Sequence, residues 1–479
     1  MQAAAIETLE PRRLLTTWHV APWGNDGNWG DNVGQPLATL ERAGFRAQPG
    51  DTILLRGGTY TWTSDQWVGS NGTASAWITI DNYGNEKPII DASNLVPNNS
   101  IGANDGITIG GSFVEIRDLE IKNAPDDGIE VWSGHDVRIR NLTTHHNGGA
   151  GISARAPEFA YSTYNVLIEG NTVYRNARAN IATPDEGAWP AAMIAHFANN
   201  VTFRDNTVYE NYGEGIIQAV SSNGKIEGNT VRDNYSINIY LDNAVNIDVE
   251  RNFAYHTGKG EFYRFGSPAI GIAVANEGYA RTQQSRDNTI VNNLVKGGRH
   301  AFYVGSFGWT GGLVDSLVAH NTFRDAWGDV VKLDASPEHR NSTFANNIVE
   351  QYGGNERIAS WDNAWQNGAW MTLKNNLWAG GNWSISGLWG SNDVWGWAGF
   401  AGGSNDVNGY KLTSGSPAIN AAAWGYANTD FAGSSRVGTP DIGAWEFGGA
   451  LSLMATGKPR LFSESPLRLL ETRERSLFA

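Results

Sequence analysis

The sequence predicts an all-β solenoid, a single-stranded parallel β-helix with a helix closing its N-terminal end. The first observation is a repeat. Asn206-Thr-Val, Asn229-Thr-Val and Asn252-Phe-Ala fall 23 residues apart, and a fixed period of this length marks a stack of supersecondary units. The phrase recurs as Asn141-Leu-Thr, Asn171-Thr-Val, Asn293-Leu-Val, Asn321-Thr-Phe, Asn347-Ile-Val and Asn376-Leu-Trp, the spacing stretching to between 26 and 41 where loops are inserted. The second observation is alternation. Val137-Arg-Ile-Arg-Asn-Leu and Val201-Thr-Phe-Arg-Asp-Asn are too short for helices and place apolar side chains at every second position, which gives each strand one buried face. The third is punctuation: each strand ends at Asn, Asp or Gly, residues that tolerate left-handed backbone and turn the chain sharply. One such turn cannot bury its own inward face, whereas stacked turns share a core. Parallel crossovers are right-handed. Roughly ten coils are expected from about Asp51 onward, with the recurrent Asn forming a ladder of stacked amides inside the turns.

Residues 1–17 read as an export-associated or disordered segment without an uninterrupted apolar run. Within it Leu9-Glu10-Pro11-Arg12-Arg13-Leu14-Leu15 resembles the LEPR-type motif of large bacterial extracellular proteins. Residues 18–105 supply the opening and the cap: a first strand from Trp18, a Gly/Asn/Asp loop, and a short helix from about Thr39 to Ala47. Its Leu40, Ala43 and Phe45 are expected to plug the open end, whose strand edges would otherwise recruit other chains. Pro49-Gly50-Asp51-Thr52 then turns into Ile53-Leu54-Leu55. Regular coils occupy 106–376, with inserted loops at 157–164, 182–190, 258–268 and 278–286, and long loops on a rigid scaffold are where function sits. Trp-rich final coils and closing strands occupy 377–448. Eight tryptophans lie between Trp361 and Trp397, as packing or as a platform for sugar faces. Residues 18–448 form one domain because a solenoid grows along one axis, and 449–479 is a charged tail without repeat signal.

The formal net charge is −14, and no basic stripe accompanies it, which excludes nucleic acid as partner. Cysteine is absent, so disulfides and thiolate chemistry are excluded. No stretch reaches the length of a membrane-spanning helix. A secreted or cell-surface monomer is expected.

Strand alternation sends Ile129/Val131, Met193/Ala195, Ile239/Leu241 and Val331/Leu333 inward. Glu130/Trp132, Arg155, His196, Tyr240/Asp242, Tyr303 and Lys332/Asp334 therefore project outward on one face of rungs about 4.8 Å apart. Arg155 to His196 is one step and His196 to Asp242 two, close enough to line one groove. Cations, an imidazole, phenols and carboxylates in one line suit elimination from an acidic sugar: a cation neutralises the uronate, a base removes the C5 proton, and the leaving oxygen is protonated. The candidates are His196, Arg155, Tyr240 and Glu214 for catalysis. Asp242 with the turn acids Asp185 and Glu186 are candidates for calcium, a hard cation suited to oxygen ligands. Trp132, Tyr303, Lys332 and Asp334 are candidates for holding a polysaccharide substrate. Tyr240 would act as base or acid if a neighbouring cation lowered its pKa. Asp126-Asp127 and His145-His146 read as turn and ladder residues.

The opening module, with Asn71 to Ile80 and Gly84-Asn-Glu-Lys-Pro-Ile-Ile-Asp91, resembles right-handed parallel β-helix proteins of the pectate-lyase type, and in particular the polysaccharide lyases that include exopolygalacturonate lyases. The resemblance covers residues 18 to 350. It implies a calcium-assisted β-elimination using an Asp-rich cluster and a catalytic Lys on a nearby rung. The sequence departs from this pattern: no Asp-rich cluster followed by Lys stands out in the central rungs, and His196 occupies the place of the Lys-bearing ladder. Two alternatives stay open. One is a glycoside hydrolase using Glu214 with Asp242, or Asp185 with Glu186. The other is a non-catalytic carbohydrate-binding or cell-surface protein.

Overall fold

A computed structural model describes residues 15–96, 104–182, 191–280, 283–307, 311–334, 336, 338–352, 358–361, 371–381, 390–402 and 405–448. Each coil visits three sheets in turn. One coil, for example, runs through Val114–Arg117, Glu120–Lys122 and Ile129–Trp132. The sheets contain 13, 13 and 11 strands, each paired to the strand one coil away, in parallel and without slippage where Ile129 meets Ile152 and Ile152 meets Met193. These inward residues are fully buried, so the core is a column of aliphatic side chains down the axis. Towards the C-terminal end it becomes a stack of rings, Phe302–Phe323–Phe344–Trp378, with centroids 5.4 to 6.2 Å apart.

The turn from first to second sheet contains the predicted ladder. Asn171, Asn206, Asn229, Asn252, Asn293, Asn321, Asn347 and Asn376 are buried, and each Nδ2 up to that of Asn347 donates to the next Oδ1 at 2.9 to 3.2 Å. The residue just before each later Asn, such as Asp205, Gly228, Arg251, Asn292 or Asn346, has φ between 53° and 67°, which makes the corner. Asn141 belongs to this corner position (φ 53°) and not to the ladder; Leu142 takes the ladder place, and its N–H donates to Asn171 Oδ1 at 2.8 Å. A second ladder, not anticipated from the sequence, runs through the next turn: Asn147, Asn176, Asn211 and Asn234, linked at 2.8 to 3.1 Å.

Three expectations are corrected. The solenoid starts before Asp51, because Thr17–Val20 already pairs in parallel with Thr52–Leu55, which adds to the expected number of coils. The capping helix spans Leu40–Arg46, with Thr39 as its N-cap, but Phe45 is 76 % exposed. The buried face is Leu40, Ala43, Gly44 and Ala47, the i, i+3, i+4, i+7 stripe, from which position i+5 points away. Residues 405–448 form no closing strands. They make turns and a short helical turn at Val407–Tyr410 and pack back on the outside of the corner residues. There the buried Arg436 joins Glu446 (3.1 Å) to Asn292 (2.9 Å), and Asn346 Nδ2 donates to Ala423 O at 2.8 Å. Residues 1–14, 183–190 and 449–479, and with them most of the LEPR-type motif, Asp185, Glu186 and the tail, lie outside the described residues, as do Trp365, Trp370, Trp383 and Trp389.

Candidate functional site

The outward face of the third sheet carries two groups of acids. The first is built at the start of consecutive rungs, where Asp105-Gly-Ile and Asp127-Gly-Ile stack before their strands. The Asp127 N–H donates to Asp105 Oδ1 at 3.0 Å. Asp127 in turn accepts from the Ala150 N–H (2.6 Å) and the Ser153 hydroxyl (2.6 Å) of the following rung, and from Arg155. Arg155 also donates to Glu130 at 3.3 Å. Carboxylate oxygens of Asp105, Asp126 and Asp127 lie within 4.8 Å of one another. Asp105, Asp127 and Glu130 are buried while Asp126 is exposed.

Four carboxyls face one guanidinium, and their crowding opposes ionisation of them all. Burial first, and then the charge on Asp127, raise the pKa values of Asp105, Asp126 and Glu130. Burial alone would lower that of Arg155, but the surrounding carboxylates more than reverse this and keep the guanidinium charged. The donor set fits a hard cation such as calcium, which takes six to eight oxygens. Gly149 leaves the gap: a Cβ there would come within 2.3 Å of Asp126 Oδ1 and 2.4 Å of Asp127 Oδ1. Asp126-Asp127, read from the sequence as a turn pair, joins Asp105 in an acidic cluster assembled from two rungs. The signal that would have found it is the recurrence of Asp-Gly-Ile one coil apart.

Arg155 is in register with Trp132 on one side and His196 on the other. Burial, and then the positive charge of Arg155, push the His196 pKa down to about 4, so the imidazole is neutral in neutral solution. Its Nε2 is buried without a hydrogen-bond partner, and its ring meets that of Tyr279 edge-on at 6.2 Å.

The second group lies two rungs past His196, with Ala219 between. Tyr240 and Asp242 face outward as predicted but are covered, 2 % and 3 % exposed. Strand Ile270–Glu277 and the turn after it supply the partners: Tyr240 donates to Glu277 Oε1 at 2.8 Å, and Tyr279 donates to Asp242 Oδ2 at 2.6 Å. Asp242 Oδ1 and Glu214 Oε2 are buried without partners. Burial raises Glu214 to about 7, and burial followed by neighbouring carboxylates raises Tyr240 and Asp242 well above their ordinary values. This corrects one expectation: the surroundings of Tyr240 are acidic, so its phenol stays protonated instead of being activated by a cation. Asp242 accepts the Tyr279 phenol, its expected companions Asp185 and Glu186 lie outside the described residues, and among the described residues a three-carboxylate grouping lies around Asp127. A hydrolase pair also needs one carboxyl neutral and the other ionised, whereas here both Glu214 and Asp242 are pushed upward.

Tyr303, Lys332 and Asp334 form a separate set. Tyr303 donates to Asp334, and Lys332 lies 3.5 Å from it. Lys332 is seven strands from Glu130, about 34 Å at the rung spacing. His145 is structural: it stacks on Tyr174 at 4.8 Å and reaches Glu120 at 3.3 Å.

A family model described as the Pel9A-like, right handed beta helix region matches residues 18–297. Pectate lyase L of Paenibacillus polymyxa is 33 % identical over 213 residues, 44 % of this chain and 44 % of that protein. Pectate lyase PEL9 of Emericella nidulans is 32 % identical over 168 residues, 33 % of this chain and 40 % of that protein. The chain therefore spans less than half the length of these two curated relatives. The crystal structure of pectate lyase Pel9A superposes with a TM-score of 0.51 at 17 % identity, covering 90 % of this chain and 96 % of that one, which shows the shared fold. The chain belongs to the Pel9A-like right-handed β-helix family.

Proposed function

We propose that this member of the Pel9A-like family is an exported polysaccharide lyase that cleaves a uronate-containing glycan by β-elimination on the face around Asp127. The observation that carries the reading is the convergence of Asp105, Asp126, Asp127 and Glu130 on Arg155, one rung from a neutral histidine. Elimination needs the uronate carboxylate neutralised, the C5 proton removed and the C4 oxygen released. A calcium ion held by the Asp105, Asp126 and Asp127 carboxylates would neutralise the uronate and acidify its C5 proton. Arg155 remains charged, and its contacts to Asp127 and Glu130 both pass through Nη1. His196 Nε2 takes the C5 proton, the C–H electron pair forms the C4–C5 double bond, and the C4–O bond breaks with protonation of the leaving oxygen by water. Trp132, in register with Arg155, offers a ring to the sugar.

The test is a panel of polygalacturonate, alginate and glycosaminoglycan with calcium, read by the ultraviolet absorbance of the unsaturated uronate. Absorbance should rise with at least one polyuronate. His196→Ala should slow that reaction by about a hundredfold or more, the scale of a general base, while Asp242→Asn, in the covered group, should retain most of the rate. New reducing ends without absorbance would replace elimination by hydrolysis, and no new ends on any glycan would overturn catalysis.

A further inference from the structure

Eight strands along the stack from the coil of Asp127, about 38 Å at the rung spacing, the outward face of the second sheet bears a cavity of about 610 Å³ lined by Arg324, Glu350, Tyr352, Trp397 and Phe400 among others. Arg324 and Glu350 are in register on adjacent strands. The chain returns over them after its last strand, Val394–Trp395, and brings Trp397 to Tyr352 with ring centroids 5.0 Å apart. The indole is seated on Gly380, where a Cβ would come within 2.5 Å of its Cη2, so glycine at that position admits the ring. Tyr352 is nonetheless 69 % and Trp397 47 % exposed. Large rings packed against one another just past the ends of strands but left in solvent offer platforms, and their faces match the C–H faces of pyranoses.

The polar groups decide which sugar. The Arg324 guanidinium lies 3.0 Å from Asp325 and 3.4 Å from Glu350, so one cation is matched against two carboxylates. A uronate would add a third negative charge to a site already in surplus. A neutral sugar instead offers vicinal hydroxyls that donate to carboxylates and accept from a guanidinium. The cavity volume lies within the range of small-ligand sites, about 300–1,000 Å³, and one or two sugar rings fill it.

We infer that the cavity between Tyr352, Trp397 and the Arg324/Glu350 pair is a carbohydrate-binding site for neutral pyranose residues, separate from the acidic face and able to hold the protein on a matrix glycan. The inference rests on the reading of the chain as carbohydrate-active but not on which bond it breaks. Native electrophoresis through gels containing xylan, galactan or hydroxyethylcellulose, with polygalacturonate gels alongside, tests it. The protein should be retarded by at least one neutral polysaccharide. Tyr352→Ala, at an exposed ring, and Trp397→Ala, checked for an unchanged melting temperature, should each weaken retardation by about tenfold or more while leaving the elimination rate on soluble polyuronate unchanged. Unretarded migration in every neutral gel, retardation by polygalacturonate alone, or retardation unaffected by Tyr352→Ala would overturn it. Retardation lost in the variants of a protein that proves to lack lyase activity would support this site while removing the catalytic reading.

Discussion

The acids around Asp127 and those around Asp242 lie on the same outward face of the third sheet, with Glu130 and Tyr240 four strands apart, about 19 Å at the rung spacing. In both groups burial raises carboxyl pKa values. They differ in how their donors are delivered. Around Asp127 two of the acids, Asp105 and Asp127, come from the same turn position of successive rungs, so the parallel stack sets their separation, and with Asp126 beside Asp127 the oxygens of three residues converge within 4.8 Å. Around Asp242 the acids come from a turn, a strand and a later strand end, and phenols stand between them: Tyr240 on Glu277, Tyr279 on Asp242. The first arrangement draws in Arg155, which bonds Asp127 and Glu130; the second ties its acids to phenols.

Asp127→Asn should separate the two groups most severely. It leaves Arg155 without its closest carboxylate, and loss of one partner from a buried pair costs about 3–5 kcal/mol. The wild-type melting temperature should rise with added calcium, since a ligand that binds the folded state stabilises it. Asp127→Asn should melt lower and lose that rise, whereas Asp242→Asn should keep it. An identical calcium response in all three proteins would mean that the two groups do not differ as described.

The two groups keep their separation only while the rungs between them hold register, which the amide ladder enforces. Asn229 donates to Phe203 O and Asn252 Oδ1, both at 2.9 Å, and accepts from Asn206. Asn229→Ala should destabilise by on the order of 3 kcal/mol through unsatisfied buried partners, and Asn141→Ala, at a corner, by less. Chemical denaturation curves that rank the two variants the other way would contradict the ladder's role.

The smallest effect should come from Glu214. Its carboxyl titrates near 7 when folded and near 4.5 when unfolded, so between these values the folded state binds the extra proton. The contribution of this group is full below the lower value and is lost as pH rises through the upper one. Glu214→Gln removes the cost of ionising a buried acid. Relative to wild type it should gain about 2–3 kcal/mol on moving from about pH 5 to about pH 8, measured by thermal melting at both. A pH-independent difference would place Glu214 in contact with water and weaken the description of the second group as covered.

Much of this was legible in the residues. The 23-residue recurrence of Asn-Thr-Val specified coils, and the Asn side chains do stack. The alternation Ile239-Tyr-Leu-Asp assigned inward and outward faces correctly. Thr39 and Ala47 bracket the helix as its caps, because capping and periodicity are properties of the local backbone. Three things required the tertiary structure. Asp105 joins Asp126 and Asp127 only because the intervening coil closes in a single step, and elsewhere inserted loops vary that step. Tyr240 and Asp242 point outward yet are buried, because Glu277 and Tyr279, more than thirty residues later, fold over them. Residues 405–448 carry strand-like phrases but pack outside the coil, where Arg436 reaches Asn292 across 144 positions of sequence. Periodicity reports which way a side chain leaves its own strand. What it meets there is decided by chain that arrives from elsewhere, and that depends on loop lengths and packing that no local pattern encodes.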